Sequence, residues 1–441
     1  MRNRRLAITL LVLLAVCLLS FVVYNLPPVH ARLSWRLADL RSRLYYAINP
    51  PQEVVFIPQE QQAQVEAIVQ TTLAALLPSA TLATSPSLTP VPTQPGPTAT
   101  PQPSPTSTLS PTPIPEKVIL SGIVHEYQQM NNCGPATLAM ALSYWGWQGD
   151  QRDTRLFLRP NFASVDDKNV SPEEMAVFVE RFTGLKALVR VGGELELLKR
   201  LLAAGFPVVI EKGFQPPKED WMGHYEVING YDDTRGRFIA QDSYIMADFP
   251  LPYDQVVDRW WRDFNYVYLV IYPPEREAEV LGVLGPQADQ LYNYQQAAQK
   301  ALEETTVLTG RDLFFAWFAR GSSLVALGDY PAAAQAYDQA FAIYAGLPEE
   351  ERPWRTLWYQ TGPYAAYYHS GRYQDVISLA NTTLSFLSQP VLEETFYWRG
   401  LAKEGLGDVE GALKDLTKAA SLNPNFTLAV EALRSRGAQV P

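Results

Sequence analysis

The run SATLATSPSLTPVPTQPGPTATPQPSPTSTLSPTPIP, residues 79–115, constrains this chain more than any other stretch. It is built from serine, threonine, proline and small residues, with almost nothing large and apolar to bury. Such a segment cannot offset the entropy of ordering its backbone, so it is expected to stay extended, in part polyproline-like, and to act as a spacer. The chain must therefore be read in pieces on either side of it. The net charge of −10 comes without long charge runs, which argues against nucleic acid as a partner.

The N-terminal piece begins MRNRRLAITLLVLLAVCLLSFVVYNLPP. Leu6 to Leu26 is 21 residues without a charge, enough for a helix rising about 1.5 Å per residue to cross a bilayer. Arg2, Arg4 and Arg5 precede it, which by the positive-inside rule keeps the N-terminus cytoplasmic. A cleaved signal peptide would show a shorter apolar core and a small-x-small site. The expectation is a single-pass signal anchor over 1–28, a stalk over 29–78, the disordered linker over 79–116, and everything beyond the anchor outside the cytoplasm. Cys17 then lies within the bilayer without chemistry. Cys133 is the second of only two cysteines and has no disulfide partner in its own compartment. An unpaired thiol there is an oxidation liability, which hints at a use.

Residues 117–275 return to a globular composition. SPEEMAVFVERFTG reads as a helix capped by Ser171 with an acidic first turn, and GELELLKRLLAAG as a second amphipathic helix. FPVVIEKG, HYEVINGYDD, RFIAQDSY and YVYLVIYP are short β-rich runs separated by Gly, Asp and Pro. Helices first and a sheet after predict an α+β domain. From 285 to 436 the pattern is helical and repetitive. WFARGSSLVALGDYPAAAQAYDQAFAIY aligns without a gap on FYWRGLAKEGLGDVEGALKDLTKAASLNP, matching Gly321 to Gly400, Gly328 to Gly407 and Tyr337 to Leu416. YYHSGRYQDVISLANTTLSFL is a weaker copy anchored by Gly371. The repeats resemble tetratricopeptide (TPR) repeats, all-α arrays that offer a surface to peptides or partner proteins.

The chemistry-bearing stretch is YQQMNNCGPATLAMALSYWGW. Cys133 precedes a run with helical spacing, Ala136, Leu138, Ala139, Leu142 and Trp145. A thiolate is favoured at a helix start, and Gly134 would let a substrate approach closely. A thiol nucleophile also needs an imidazole, a group to orient it, and donors for the oxyanion. Of the four histidines, His30 abuts the apolar run and His369 lies in the weak repeat. His125 is expected on a strand entering the helix. His224 starts a strand, and Asp242 ends the next one past the turn DDTRG, so an antiparallel pair would set them side by side. Asp232 and Asp233 read as turn residues. Gln128 and Gln129 both lie close enough to Cys133 to aim an amide at the oxyanion. Trp145, Trp221 and Tyr225 read as packing residues, with Trp221 a candidate border of the cleft. No CxxC or HExxH is present, and neither a metal nor a cofactor is expected.

With these motifs in hand, residues 117–274 resemble the papain-like cysteine peptidases of the bacteriocin-processing, double-glycine type, in their stand-alone secreted or anchored branch. The resemblance implies Cys133 as nucleophile, His224 as general acid and base, Asp242 as the orienting carboxylate and Gln128 as the oxyanion glutamine, with Gln129 close in register. Family members fused to exporters carry an ATPase, whereas no GxxxxGK[ST] occurs here, which separates this chain from leader cleavage during export. The expected function is a membrane-anchored, extracytoplasmic thiol peptidase acting on a peptide or protein, with repeats that recruit substrate or partner. The alternatives are a silent peptidase-like adaptor, or a thiol amidase or transpeptidase of the cell envelope.

Overall fold

The computed structural model describes residues 14–24, 40, 44, 48, 55–59, 113–160, 170–216, 219–387 and 391–441. Residues 14–24 are helical, with Leu14, Val16, Leu18, Leu19, Phe21 and Val22 all exposed. The rest of the expected anchor, most of the stalk and nearly all of the linker lie outside the described residues. Among the described residues no helix is long and apolar enough to cross a membrane.

The first domain is an antiparallel sheet with helices on both faces. Its elements are β1 (Lys117–Ile119), α1 (Cys133–Tyr144), α2 (Gln151–Leu158), α3 (Pro172–Phe182), β2 (Lys186–Arg190), α4 (Leu195–Ala203), β3 (Val208–Phe214), β4 (Met222–Asp232), β5 (Arg237–Gln241), β6 (Phe249–Pro252) and β7 (Tyr268–Tyr272). Six of the seven strands run in the order β2-β7-β3-β4-β5-β6, and β1 pairs with the far end of β4. Alternation along the strands sorts the core. Val209, Tyr225, Val227, Leu269 and Ile271 face α1, α2 and α3. Val208, Ile210, Ile228, Tyr268 and Val270 face α4 and α5 (Glu277–Leu284). Both faces are covered, so β7, YLVIY, and the start of β3, VVI, read as continuous apolar runs rather than as alternating ones. Ser171 caps α3 in a full capping box with Glu174, as its sequence predicts.

The helical region follows as α6 (Gln290–Glu304), α7 (Gly310–Ala326), α8 (Tyr330–Gly346), α9 (Gly362–His369), α10 (Tyr373–Ser385), α11 (Glu393–Gly405), α12 (Val409–Leu422) and α13 (Thr427–Ser435). The hairpins α7/α8, α9/α10 and α11/α12 carry the aligned residues. A Cβ on Gly321 would meet the Tyr337 ring at 2.7 Å, and one on Gly400 would meet Leu416 at 3.1 Å. The glycine and its partner on the second helix therefore occupy matching places in the first and last hairpins.

The two regions share a core. Trp221 and Phe264 of the sheet domain pack with Phe315 and Tyr359, with ring centroids 5.3–5.9 Å apart. Asp263, buried here, accepts from Trp221 Nε1 at 2.8 Å and from Arg311, and its carbonyl accepts from Gln360 at 2.6 Å. At the other end Asn425 donates to Phe157 O at 3.0 Å. Trp221 is 4% exposed: it is a packing residue between the regions, and it edges a pocket shared with Asp220, Arg311 and Glu350, away from the His224–Asp242 pair.

Candidate active site

Asn131 adopts φ 50° immediately before α1. Asparagine is among the few residues that tolerate this left-handed turn, which accounts for the first of the two asparagines ahead of Cys133. Arg159 binds the Asn131 carbonyl. Gln151, the first residue of α2, accepts from Asn132 Nδ2 and from Gln129 N, both at 2.8 Å, and donates to Tyr127 O at 2.9 Å. The turn is thus held from below, and α1 starts at Cys133 with no side-chain cap from Asn132. Gly134 does not open a path for substrate. It is buried, and a Cβ there would meet Met175 at 3.0 Å and Val170 at 3.2 Å, so the glycine serves close packing of α1 on α3. Residues 121–129 are not a strand, so His125 sits on a loop rather than on the expected entering strand.

One turn into α1, Thr137 Oγ1 donates to the carbonyl of Tyr225 at 3.1 Å. This fixes the start of α1 on β4 beside His224. Tyr225 turns towards α1 and α3, its hydroxyl donating to Val170 O at 2.7 Å. His224 leaves the strand on the opposite side, across from Lys212 of β3 and stacked on Phe214 with centroids 4.7 Å apart. Asp242 follows β5 directly, and its Oδ1 lies 3.1 Å from His224 Nε2. The same oxygen accepts from the backbone N–H of Tyr244 at 2.7 Å and Ile245 at 2.8 Å. Burial pushes the Asp242 carboxyl up, but the His224 imidazole and these N–H groups outweigh it and hold it well below the usual carboxylate range. With Nε2–H spent on Asp242, Nδ1 is the imidazole nitrogen left to exchange a proton.

Gln128 is tied to the same corner. Its N–H donates to Ser243 O at 2.9 Å, and its Oε1 accepts from Ser243 Oγ at 2.9 Å, which leaves the amide Nε2 as its donor. Gln129 turns away to α2, accepting from Arg155 at 3.1 Å. Asp232 and Asp233 sit at the β4–β5 turn, paired with Lys117 and Lys199.

Glu226, which reading the sequence missed, belongs to this cluster. It is two residues along β4 from His224, fully buried, and its Oε1 is 3.1 Å from Lys212 Nζ. Asp242 Oδ2 and Glu226 Oε2 are buried with no N–H or O–H donor in bonding geometry. Two facing carboxyls need a proton between them, and burial with the adjacent Asp242 charge pushes Glu226 up to about 8 against the pull of Lys212. Glu226 is therefore a neutral acid at pH 7 and shields the outer oxygen of Asp242. The only signal for it in the sequence is a glutamate two residues after the candidate histidine, and so on the same face of the strand. His224, Glu226 and Asp242 bring ligand atoms within 4.8 Å of one another. The Lys212 ammonium already supplies positive charge at this cluster, which leaves a cation little to add.

Residues 123–268 match the Peptidase_C39 like family, and residues 393–426 match the tetratricopeptide repeat. No curated protein matches the chain. A solved chain from Bacillus anthracis, described as a C39-like peptidase, is 20% identical over 35% of this chain and 96% of its own, with a TM-score of 0.30. The chain carries a Peptidase_C39-like domain followed by a helical region containing a tetratricopeptide repeat.

Proposed function

We propose that this chain is a cysteine peptidase in which Cys133 attacks the peptide carbonyl. The observation that carries the reading is the buried His224–Asp242 pair at 3.1 Å, set beside a helix that begins at the thiol. In this mechanism His224 Nδ1 takes the thiol proton, and the positive helix start favours the thiolate. The Cys133 sulfur forms a bond to the carbonyl carbon, and the oxyanion is met by the Gln128 amide and backbone N–H groups. His224 then gives its proton to the leaving amine as the C–N bond breaks. Water, deprotonated by His224, releases the acyl group and restores the thiol. Asp242 keeps the imidazole in one tautomer throughout. Tyr127, Tyr244, Ile245 and Met246 are exposed on the loops joined by Gln128 and Ser243, which favours large apolar side chains near the scissile bond.

The apolar helix over 14–24, exposed on all sides, and the arginines before it support anchoring with the catalytic region outside the cytoplasm. The repeats would present a protein or peptide to the site.

The test is the alkylation rate of Cys133 against pH in the full chain, read by mass at the Cys133 peptide, with and without His224→Ala. Half-maximal reactivity well below the roughly 8.5 of a free thiol, lost in the variant, supports the ion pair. An ordinary profile indifferent to His224 would make the thiol structural and leave an adaptor.

A further inference from the structure

Residues 55–59, Val-Phe-Ile-Pro-Gln, belong to the stalk, yet they lie on the repeats. Phe56 is 6% exposed and packs edge-on against Phe341 at 5.0 Å and against Tyr367 at 6.2 Å. The cavity around it lies between α8 and α10 over α7, walled by Phe314 and Phe318 of α7, Phe341 of α8, and Leu379 and Phe386 among others. Pro58 is buried too, Ile57 points outward at 43% exposure, and Gln59 N–H donates to Asp375 Oδ1 at 2.9 Å. Inward, outward, inward burial along a segment without regular secondary structure, ending in a backbone bond to a buried carboxylate, is how a groove reads a bound peptide.

We propose that the cleft between α8 and α10 is a peptide-binding site whose resident ligand is the chain's own segment 55–59, held reversibly. The occupant is fixed by what is seated there: an aromatic side chain, then proline two residues on, then a backbone N–H. Gln59 is bonded to Asp375 and Ile114 packs on the sheet domain, so while Phe56 stays seated the length of chain between them adds no reach from the N-terminal helix. Release of Phe56 would add that length to the tether, letting the body move further from the N-terminal helix. A tethered ligand acts at an effective concentration on the order of millimolar, so a free peptide of the same chemistry competes only when abundant or when the resident segment is weakened.

The experiment uses the full chain and a fluorescein-labelled peptide of sequence EVVFIPQE, read by anisotropy. Phe56→Ala should bind it at least roughly tenfold more tightly than the wild type, and a peptide with alanine in place of phenylalanine should not bind. Equal binding to both chains, or none to a Phe56→Ala chain of unchanged helicity, overturns the proposal. A second measurement covers a variant that fails to fold. A protease site placed at residue 95 of the otherwise wild-type chain is cut, and the nicked protein is passed over a sizing column. The N-terminal fragment should co-elute and be displaced by excess EVVFIPQE. A fragment that resists displacement would make residues 55–59 a permanent part of the core and end the idea.

Discussion

Glu226→Gln isolates the buried acid beside Asp242. In the folded chain Glu226 is pushed up to about 8 from an ordinary 4.5 by burial and then by the Asp242 charge, with Lys212 opposing. Between those values the folded chain holds a proton here that the unfolded chain has released. Stability is therefore fully present below pH 4.5 and falls as pH rises towards 8. At about 1.4 kcal/mol per pH unit, that window sets a ceiling of about 5 kcal/mol, lowered in practice by Lys212 at 3.1 Å. Glutamine has the same shape, does not titrate, and keeps an N–H to donate to Asp242. Urea midpoints followed by tryptophan fluorescence should coincide for the two chains near pH 5. They should separate above pH 7, with Glu226→Gln the more stable by a few kcal/mol. The difference between the chains cancels every other titrating group. Parallel curves, or a wild type more stable at pH 9, would refute a protonated Glu226.

Asp242→Asn should lower peptidase turnover by roughly 10²–10⁴-fold with little change in KM, because the imidazole loses its orienting charge; kcat and KM on an apolar peptide library report it. Gly321→Ala should destabilise the repeats by about 1–3 kcal/mol, because its Cβ would meet the Tyr337 ring at 2.7 Å; thermal melts by circular dichroism decide. Trp221→Ala should cost about 3–5 kcal/mol, and its loss should uncouple the regions, turning one calorimetric transition into two.

The residues near Cys133 were legible because their chemistry is local in sequence. The helix start, the His224 strand and the Asp242 strand end follow from turn signals and apolar runs, and the antiparallel pairing of β4 with β5 does the rest. The repeat glycines were legible because self-similarity exposes them without knowledge of the partner. What could not be read depends on pairing across long separations. β2 has no alternation to mark it, because both sheet faces are covered. Glu226 looks like any strand glutamate until Lys212 of β3 and Asp242 are placed around it. Gly134 invited a substrate reading, and only the approach of Val170 and Met175 shows that it packs. Trp221 needed Phe315 and Tyr359, about a hundred residues on, to be seen as a joint between regions.

That joint bears on how the repeats could serve the site. A recruiting module on a flexible tether raises local substrate concentration but leaves orientation to chance. Here the buried Asp263 binds Arg311, its carbonyl binds Gln360, and the aromatic cluster around Trp221 continues into α7. Separating the regions would expose this apolar core and strand an ionisable group that burial already pushes up to about 6 despite Arg311. A second attachment at Phe157 and Asn425 ties the far end of the array to α2, whose Gln151 supports the turn before Cys133. Under the proposed function, with both ends fixed, a peptide held by the repeats would meet the His224–Asp242 corner at one angle and one distance. Selection among substrates would then rest on the spacing between the recognised segment and the scissile bond as much as on either sequence.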